Sequence, residues 1–282
     1  MKNVLSIAGS DPSGGAGIQA DLKTMCALGV YGMAAITAVT VQNTRAVYDV
    51  REIEASVVAA QIEAVFEDIR VDAVKVGMVS SAGIIRAIRD CLTKQGARNI
   101  VIDPVMVSKS GCRILRADAT RALRELIAIA DITTPNIPEA EILCGFPIEN
   151  EADARRAAET IAGLGAQSVL IKGGHLPGET AEDILFADGV FTVLRAARIN
   201  TRHTHGTGCT LSSAVASRLA CGDDVQTAVR AAKDYVTQAI GDAYAVGTGI
   251  GPVGHMAALY RRAGMDAETP RETARANAER EV

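Results

Sequence analysis

AVKVGMVSSAGIIRAIRDCLTKQGARNIVID, residues 73–103, packs two short apolar runs around a helix-forming stretch. Ala73 to Val76 reads as a buried strand, Ala82 to Lys94 as a helix and Ile100 to Asp103 as the next strand. Strands joined through a helix lie parallel, because the crossover returns the chain to the same edge before it pairs. The alternation extends both ways. Upstream are a strand from Val4 to Ala8, a glycine-rich loop, a helix from Gly17 to Leu28, a strand from Ala34 to Val41 and a helix from Ser56 to Ile69. Downstream come helix Ala117 to Ile129, strand Ile132 to Thr134, helices Ile137 to Cys144 and Glu151 to Leu164, and strand Ser168 to Lys172. A hairpin over Asp183 to Val193 and helices Thr210 to Leu219 and Val225 to Tyr244 complete the pattern. The expected fold is α/β, a central mostly parallel sheet with helices on both faces. Ligands then gather at the C-terminal ends of the strands. Asp11, Gln42, Asn43, Asp103 and Lys172 all fall there.

A chain of 282 residues suits one large α/β domain, and an apolar content of 48% with no tryptophan implies an aliphatic core. The 29 basic and 33 acidic residues leave a net charge of −4, which argues against nucleic acid or an anionic membrane as partner. Any phosphate must be met locally. Cys26, Cys91, Cys112, Cys144, Cys209 and Cys221 form no Cys-x-x-Cys pair, so neither a zinc site nor a disulfide framework is indicated. With no signal peptide and no stretch of transmembrane length, a cytoplasmic location is expected.

The chemistry concentrates in Thr204-His205-Gly206-Thr207-Gly208-Cys209-Thr210, just ahead of a helix of small and apolar residues. The amides of Gly206, Thr207, Gly208 and Cys209 are expected to lie unpaired at that helix start, where free N–H groups and the helix dipole favour an anion. The same field stabilises a Cys209 thiolate. A packing role is the plain alternative for Cys209. His205 is either a base for the thiol or a loop residue that only hydrogen-bonds.

Gly15-Ala16-Gly17-Ile18-Gln19-Ala20 imitates a dinucleotide fingerprint but lacks the acidic residue some 20 positions on, and a loop separates it from its strand. A Walker A sequence and the zinc deaminase elements are absent from the chain. Asn136 and Glu139 share a face of one helical turn, a spacing that serves either a water-mediated magnesium ion or a capping box.

In order, Gly9-Ser10-Asp11-Pro12-Ser13-Gly14-Gly15-Ala16-Gly17-Ile18-Gln19-Ala20-Asp21-Leu22-Lys23-Thr24, Gln42-Asn43-Thr44, Lys75-Val76-Gly77-Met78, Asp103-Pro104-Val105-Met106, Lys109-Ser110-Gly111, Thr134-Pro135-Asn136 with Glu139, Lys172-Gly173-Gly174-His175, His205 to Thr210 and Gly249-Ile250-Gly251-Pro252 closely resemble the hydroxymethylpyrimidine/phosphomethylpyrimidine kinases of thiamine biosynthesis. The resemblance spans about residues 3 to 255. It implies a three-layer α/β/α ribokinase-like domain, set here at 1–265, and a homodimer; residues 266–282, charged and alanine-rich with little apolar content, are expected to form a polar, disordered tail. It also implies ATP-dependent phosphorylation of 4-amino-5-hydroxymethyl-2-methylpyrimidine and then of its monophosphate. Carried over by motif, Gly9, Ala16, Gln42, Met78, Val105 and Cys209 would line the pyrimidine pocket. Asp103 and Glu139 would place Mg2+, while Lys172, Asn136, Gly206, Thr207 and Gly208 would serve the ATP phosphates. His203 and Thr248 depart from the family's usual asparagine and histidine, which touches only the nucleotide-side loops.

In that setting Cys209 is the expected base, and the amides of Gly206 to Cys209 the expected anion cradle. The Gln42 carboxamide offers the donor and acceptor that an aminopyrimidine edge requires, though it could instead satisfy loop backbone. Met78 and Val105 suit apolar walls or core alike. A pyridoxal or pyridoxine kinase is the nearest alternative, and a non-catalytic pyrimidine sensor a remote one.

Overall fold

The computed structural model describes residues 1–106, 119–174 and 180–265. Lys109, Ser110, Gly111, Cys112, His175, the first two residues of the helix expected from Ala117, and the 266–282 tail lie outside them.

One sheet of nine strands runs through the described residues in the order β3-β2-β1-β4-β5-β6-β7-β8-β9. Its centre is parallel: β1 (Asn3–Ser10), β2 (Tyr31–Gln42), β4 (Ala73–Val76), β5 (Ile100–Ile102), β6 (Ile132–Thr133) and β7 (Ser168–Lys172). β1, β4 and β5 are buried almost throughout, which is why they read as unbroken apolar runs. Both edges are antiparallel additions. β3 (Val47–Glu52) folds back on β2, and the hairpin of β8 (Thr180–Ala187) and β9 (Val190–Ala197) extends β7.

β3 is absent from the sequence reading. Its partner-free side leaves its residues half-buried or exposed, so Val47 to Glu52 lacks the apolar run that marked the central strands. The turn that makes it is built by Asn43, whose Oδ1 accepts the amides of Arg45 and Ala46.

Two helical layers cover the sheet. Against one face lie α2 (Ala55–Asp68), α3 (Ala82–Lys94), α4 (Thr120–Ile127), α5 (Ile137–Cys144) and α6 (Glu151–Ala162), supplying Ile62, Ile85, Ile88, Leu123 and Ile161 to one core. Against the other lie α1 (Gly17–Ala27), α7 (Thr207–Ala220) and α8 (Val225–Gly241) around Met25, Leu211, Val215 and Val229. The three-layer arrangement is the one expected. A short α9 (Ala257–Arg262) follows. Among the described residues no helix is long and apolar enough to cross a membrane.

α7 is buried on all sides, from Thr210 to Ser217 without a break. Its Ala and Ser side chains let it lie close under the strands and carry its N-terminus to their C-terminal ends. It also starts three residues earlier than expected, because Gly206 takes the left-handed conformation, φ 79°, and caps the helix itself. Thr210 Oγ then donates to the Gly206 carbonyl at 2.8 Å and lies 3.0 Å from His255 Nε2. With its one hydrogen committed, the hydroxyl accepts from a neutral His255 whose Nε2 carries the proton.

Burial lowers the His255 pKa from an ordinary 6.5 to about 4, with Lys23 and His205 adding to the effect. A folded value below the unfolded one means that the unfolded chain binds the proton first, so stability is fully present above pH 6.5 and is lost as pH falls towards 4. That loss amounts to roughly 3 kcal/mol. Urea melts at pH 7 and pH 4.5 are expected to show it in the wild type and to show a smaller drop in His255→Gln; equal drops in the two proteins would refute it.

Candidate active site

A cleft of about 770 Å3 opens over the C-terminal ends of the strands, and every residue given a role by the sequence reading lines it. Gly9 and Ala16 come from β1 and the loop after it, Gln42 ends β2, and Met78 and Val105 follow β4 and β5. Asp103 and Asn136 with Glu139 follow β5 and β6, Lys172 ends β7, and Gly206 to Cys209 rise from beneath at the start of α7.

Two backbone approaches give the floor its shape. A Cβ on Gly206 would run into the carbonyl oxygen of Gly15, and one on Gly17 into the carbonyl oxygen of Gly9. The loops ahead of α1 and α7 thus interlock where side chains would hold them apart. Asp11 ties the first loop together: Oδ1 accepts the amide and hydroxyl of Ser13, and Oδ2 accepts the amides of Gly15 and Ala16 and the Nε2 of His205 at 2.8 Å. Burial opposes its charge, but the His205 and Ser13 hydrogen bonds outweigh it and bring the carboxyl down to about 2. An ionised Asp11 has no proton to give, so His205 Nε2 carries the hydrogen. His205 therefore serves the loop, the second of the roles open to it.

The Gln42 carboxamide comes within 3.2 Å of the same ring nitrogen. A nitrogen that already donates to Asp11 has no lone pair left for an amide N–H. The structure sets the Gln42 nitrogen there; turning the carboxamide end for end places its oxygen beside the ring and its NH2 group on the cleft, the orientation compatible with that donor. Met78 lies over Gly9, where a Cβ would approach its Cε to 3.0 Å, and closes the adjacent wall with sulfur and methyl.

Cys209 stands third in α7. The amides of Gly206, Gly208 and Cys209 have no partner among the described residues, whereas that of Thr207 leans on the Thr204 carbonyl at 3.4 Å. Three free amides, rather than the expected four, make the cradle. The thiol departs further from expectation. Burial pushes it up to about 11, and Lys75, its strongest opposing influence, recovers only part of that, helped by a hydrogen bond from the Gly17 amide. In the free protein Cys209 is a neutral thiol: desolvation outweighs the helix end.

Across the cleft, Lys172 Nζ donates to Asp103 Oδ1 at 2.7 Å, Thr134 Oγ to the same oxygen at 3.2 Å, and Ser212 Oγ lies 3.4 Å from Oδ2. The glycine turn adjoins this cluster, since a Cβ on Gly208 would sit 3.5 Å from both Asp103 Oδ2 and Lys172 Nζ. Burial works against the Lys172 ammonium, but Asp103 and Glu139 raise its pKa. Glu139 is pushed up to about 7 by burial, with Lys172 opposing and the Asp103 charge adding.

Asn136 and Glu139 form the capping box: Asn136 Oδ1 accepts the Glu139 amide at 2.9 Å and Glu139 Oε2 accepts the Asn136 amide at 2.8 Å. Of the two readings of that spacing the capping one is realised, and Glu139 still lines the cleft. No group of three or more His, Cys, Asp or Glu suited to hold a metal ion exists among the described residues. A cation that keeps its own waters fits nonetheless. Two carboxylates share a desolvated corner with one ammonium, and a divalent ion held through water would relieve the strain on Glu139.

A backbone anion cradle, a lysine and paired carboxylates around one cleft, on a doubly covered parallel sheet, define a ribokinase-like phosphotransferase acting on small molecules. The sequence pattern of the phosphomethylpyrimidine kinase family matches residues 11–254. The hydroxymethylpyrimidine/phosphomethylpyrimidine kinase of Rhizobium meliloti (strain 1021) is 52% identical over 255 residues, covering 89% of this chain and 96% of that one. Among solved structures, phosphomethylpyrimidine kinase from Clostridium difficile 630 aligns with TM-score 0.77 at 50% identity, over 85% of this chain and 100% of the other. An ADP complex of Bacillus subtilis pyridoxal kinase aligns with TM-score 0.85 at 41% identity, over 92% and 98%. The chain belongs to the phosphomethylpyrimidine kinase family.

Sequence reasoning left out Ser212 and quoted Thr134 without a role, although both steady Asp103; it gave no site role to Asp11 and left His205 open between a base and the loop residue that the structure makes it. Asp21 and Lys75 were quoted in motifs without a role. For Lys75 the signal was available as a charge inside an otherwise apolar strand.

The interlock makes a prediction. Gly206→Ala places a Cβ both at a left-handed φ and against the Gly15 carbonyl, and is expected to cost roughly 2 kcal/mol or more. Gly174→Ala, with nothing within 4 Å of its Cβ, serves as control at under about 0.5 kcal/mol. Denaturant melts of the two proteins check this; equal stabilities would show that the loops do not interlock as described.

Proposed function

We propose that this cleft transfers the γ-phosphoryl group of ATP to the hydroxymethyl of 4-amino-5-hydroxymethyl-2-methylpyrimidine, and then a second phosphoryl group to the monophosphate, giving the diphosphate used for thiamine. Family membership over residues 11–254 supports the activity. The single observation that supports the assignment of roles is the meeting of Cys209, the Gly206–Gly208 turn and the Asp103–Lys172 pair at one point of the cleft.

Gln42 reads the pyrimidine. Its outward NH2 donates to the ring nitrogen, and its oxygen, besides meeting His205, retains a lone pair for the exocyclic amino group. Met78 and Val105 enclose the ring, and Gly9 and Ala16 let it approach the backbone. At the other end Ile199, Val236 and Ile240 offer an apolar surface suited to the nucleotide base. Lys172, Asn136 and the amides of Gly206, Thr207 and Gly208 attend the phosphates. Thr207 does so with a strained amide, since its hydrogen bond to Thr204 is long. Mg2+, held through water by Asp103 and Glu139, would neutralise phosphate charge when bound.

Phosphoryl transfer needs alignment and charge neutralisation more than covalent help. The hydroxymethyl oxygen forms the new bond to phosphorus while the bond from phosphorus to the ADP oxygen breaks. The O–H proton passes to the Cys209 sulfur and then to solvent. The competent form of Cys209 is the thiolate, a minority species at neutral pH, because burial holds the thiol up at about 11. Turnover is therefore expected to climb with pH through the alkaline range. Exposed Tyr31, Val39, Val41 and Tyr48 on β2 and β3 support a homodimer, which sedimentation showing only monomer would remove.

Purified protein with MgATP and the pyrimidine alcohol should yield the mono- and diphosphate by mass analysis. In the same assay Cys209→Ala is expected to lower kcat at least 100-fold with KM little changed and to abolish the alkaline climb. Gln42→Glu should raise KM about 10-fold while sparing kcat. Unchanged kcat in Cys209→Ala removes the base assignment. Faster turnover of pyridoxal than of the pyrimidine would favour the reading that the Bacillus subtilis neighbour prompts.

A further inference from the structure

Beneath Cys209 lies a polar cluster that the proposed chemistry does not use. Lys75 on β4 and Asp21 on α1 are both fully buried, and the Lys75 ammonium donates to Asp21 Oδ1 at 2.9 Å and Oδ2 at 2.8 Å. Ser213 Oγ on α7 donates to Oδ1 at 2.7 Å and Ser6 Oγ on β1 to Oδ2 at 2.6 Å. One carboxylate on α1 thus gathers donors from two strands and from α7, joining the two helices that open onto the cleft. Gly77 makes room for the ammonium, since a Cβ there would fall 2.5 Å from Lys75 Nζ.

The spacing along the helices matters. Asp21 is four residues after Gly17, and Ser213 four after Cys209, so each stands one turn below its partner on the same face. The Asp21–Ser213 bond therefore ties α1 to α7 one turn deeper than Gly17 and Cys209, the residues at which the two helices meet the cleft. Stability alone does not call for such a pair. Desolvating two charges is costly, and apolar residues of similar volume usually serve a core as well or better.

We infer that the buried Asp21–Lys75 pair is a positioning device for the reaction at Cys209: it zips the N-termini of α1 and α7 onto one point and sets a fixed ammonium beneath the sulfur. The inference rests on the reading of Cys209 as proton acceptor. Four charged groups act on that sulfur: Lys75 from β4, Asp21 from α1, Asp103 after β5 and Lys172 at the end of β7. Lys75 acts more strongly than Asp21, so the pair, neutral as a whole, favours the thiolate. Burial shields it from salt and solvent, and the serines keep the carboxylate from turning its charge towards the thiol.

The test uses the full chain carrying Lys75→Met together with Asp21→Leu, a neutral replacement that leaves neither charge stranded. Three quantities are read: thermal stability, the pH profile of Cys209 alkylation by iodoacetamide followed on its peptide by mass spectrometry, and kcat with KM for the pyrimidine alcohol. The double variant is expected to melt within a few degrees of wild type. Its alkylation midpoint should move up by one pH unit or more, and kcat at pH 8 should fall at least 10-fold with KM within about 3-fold. An unmoved midpoint, or a kcat within 2-fold of wild type in the folded variant, makes the pair merely structural and overturns the inference.

Ser213→Ala keeps both charges, removes the tether to α7 and holds the question open should the double variant fail to fold. It is expected to lower kcat about 3- to 10-fold without shifting the alkylation midpoint, and wild-type kcat would overturn the zip. The two readings fail separately. A shifted midpoint alongside a fully active Cys209→Ala sinks the base assignment alone, whereas an inactive Cys209→Ala alongside an unmoved midpoint sinks the role of the pair alone.

Discussion

The cleft depends on a contact between two stretches of backbone, the Cα of Gly206 against the carbonyl of Gly15. Any side chain at either end would part the loops before α1 and α7, and with them two helix N-termini that otherwise face one spot. Asp11 makes the contact durable. It takes up amide groups from its own loop and the ring of His205 from the other, so that one buried charge is spent on holding a cradle meant for another. His205 in turn lies over Gly15, where a Cβ would collide with the ring. The glycines of the motif are explained less by flexibility than by what rests on them.

Charge in the cleft is poised rather than satisfied. Asp103, Glu139 and Lys172 share a corner in which one carboxyl is driven up to about 7, and the Cys209 thiol beside them is driven up to about 11. In each case burial is the leading cause, and in each the opposing influence is a lysine. The Asp21–Lys75 pair below is the opposite case, one carboxylate taking four hydrogen bonds from three donor groups. That contrast separates groups held against their charge preference by burial from a pair whose charges meet each other.

Much of this was legible in the residues. The runs 73–76, 82–94, 137–144 and 168–172 formed the elements expected of them with the same ends, because each is bounded by a turn or cap residue and buries a continuous apolar face. The edge strand β3 was not, since half-buried residues paired on one side carry little periodic signal. Gly206 shows the limit at finer scale. As a residue it announced a helix end, but only its left-handed conformation moved that end to Thr207 and brought Cys209 inside the first turn. The spacing of Asn136 and Glu139 was read as serving a cap or an ion, and the hydrogen bonds decided for the cap without removing Glu139 from the cleft.

Sequence by itself determined the layered α/β fold, the family, and the set of residues that line the cleft, because periodic burial and ordered motifs are local properties of the chain. Tertiary structure alone decided their electrical state. Whether Cys209 is a thiol or a thiolate, which way Gln42 turns its amide, and what Lys75 is for depend on residues up to 194 positions apart, as with Asp11 and His205. Desolvation and hydrogen-bond competition are set by everything that surrounds a group, and no order of letters states what surrounds it.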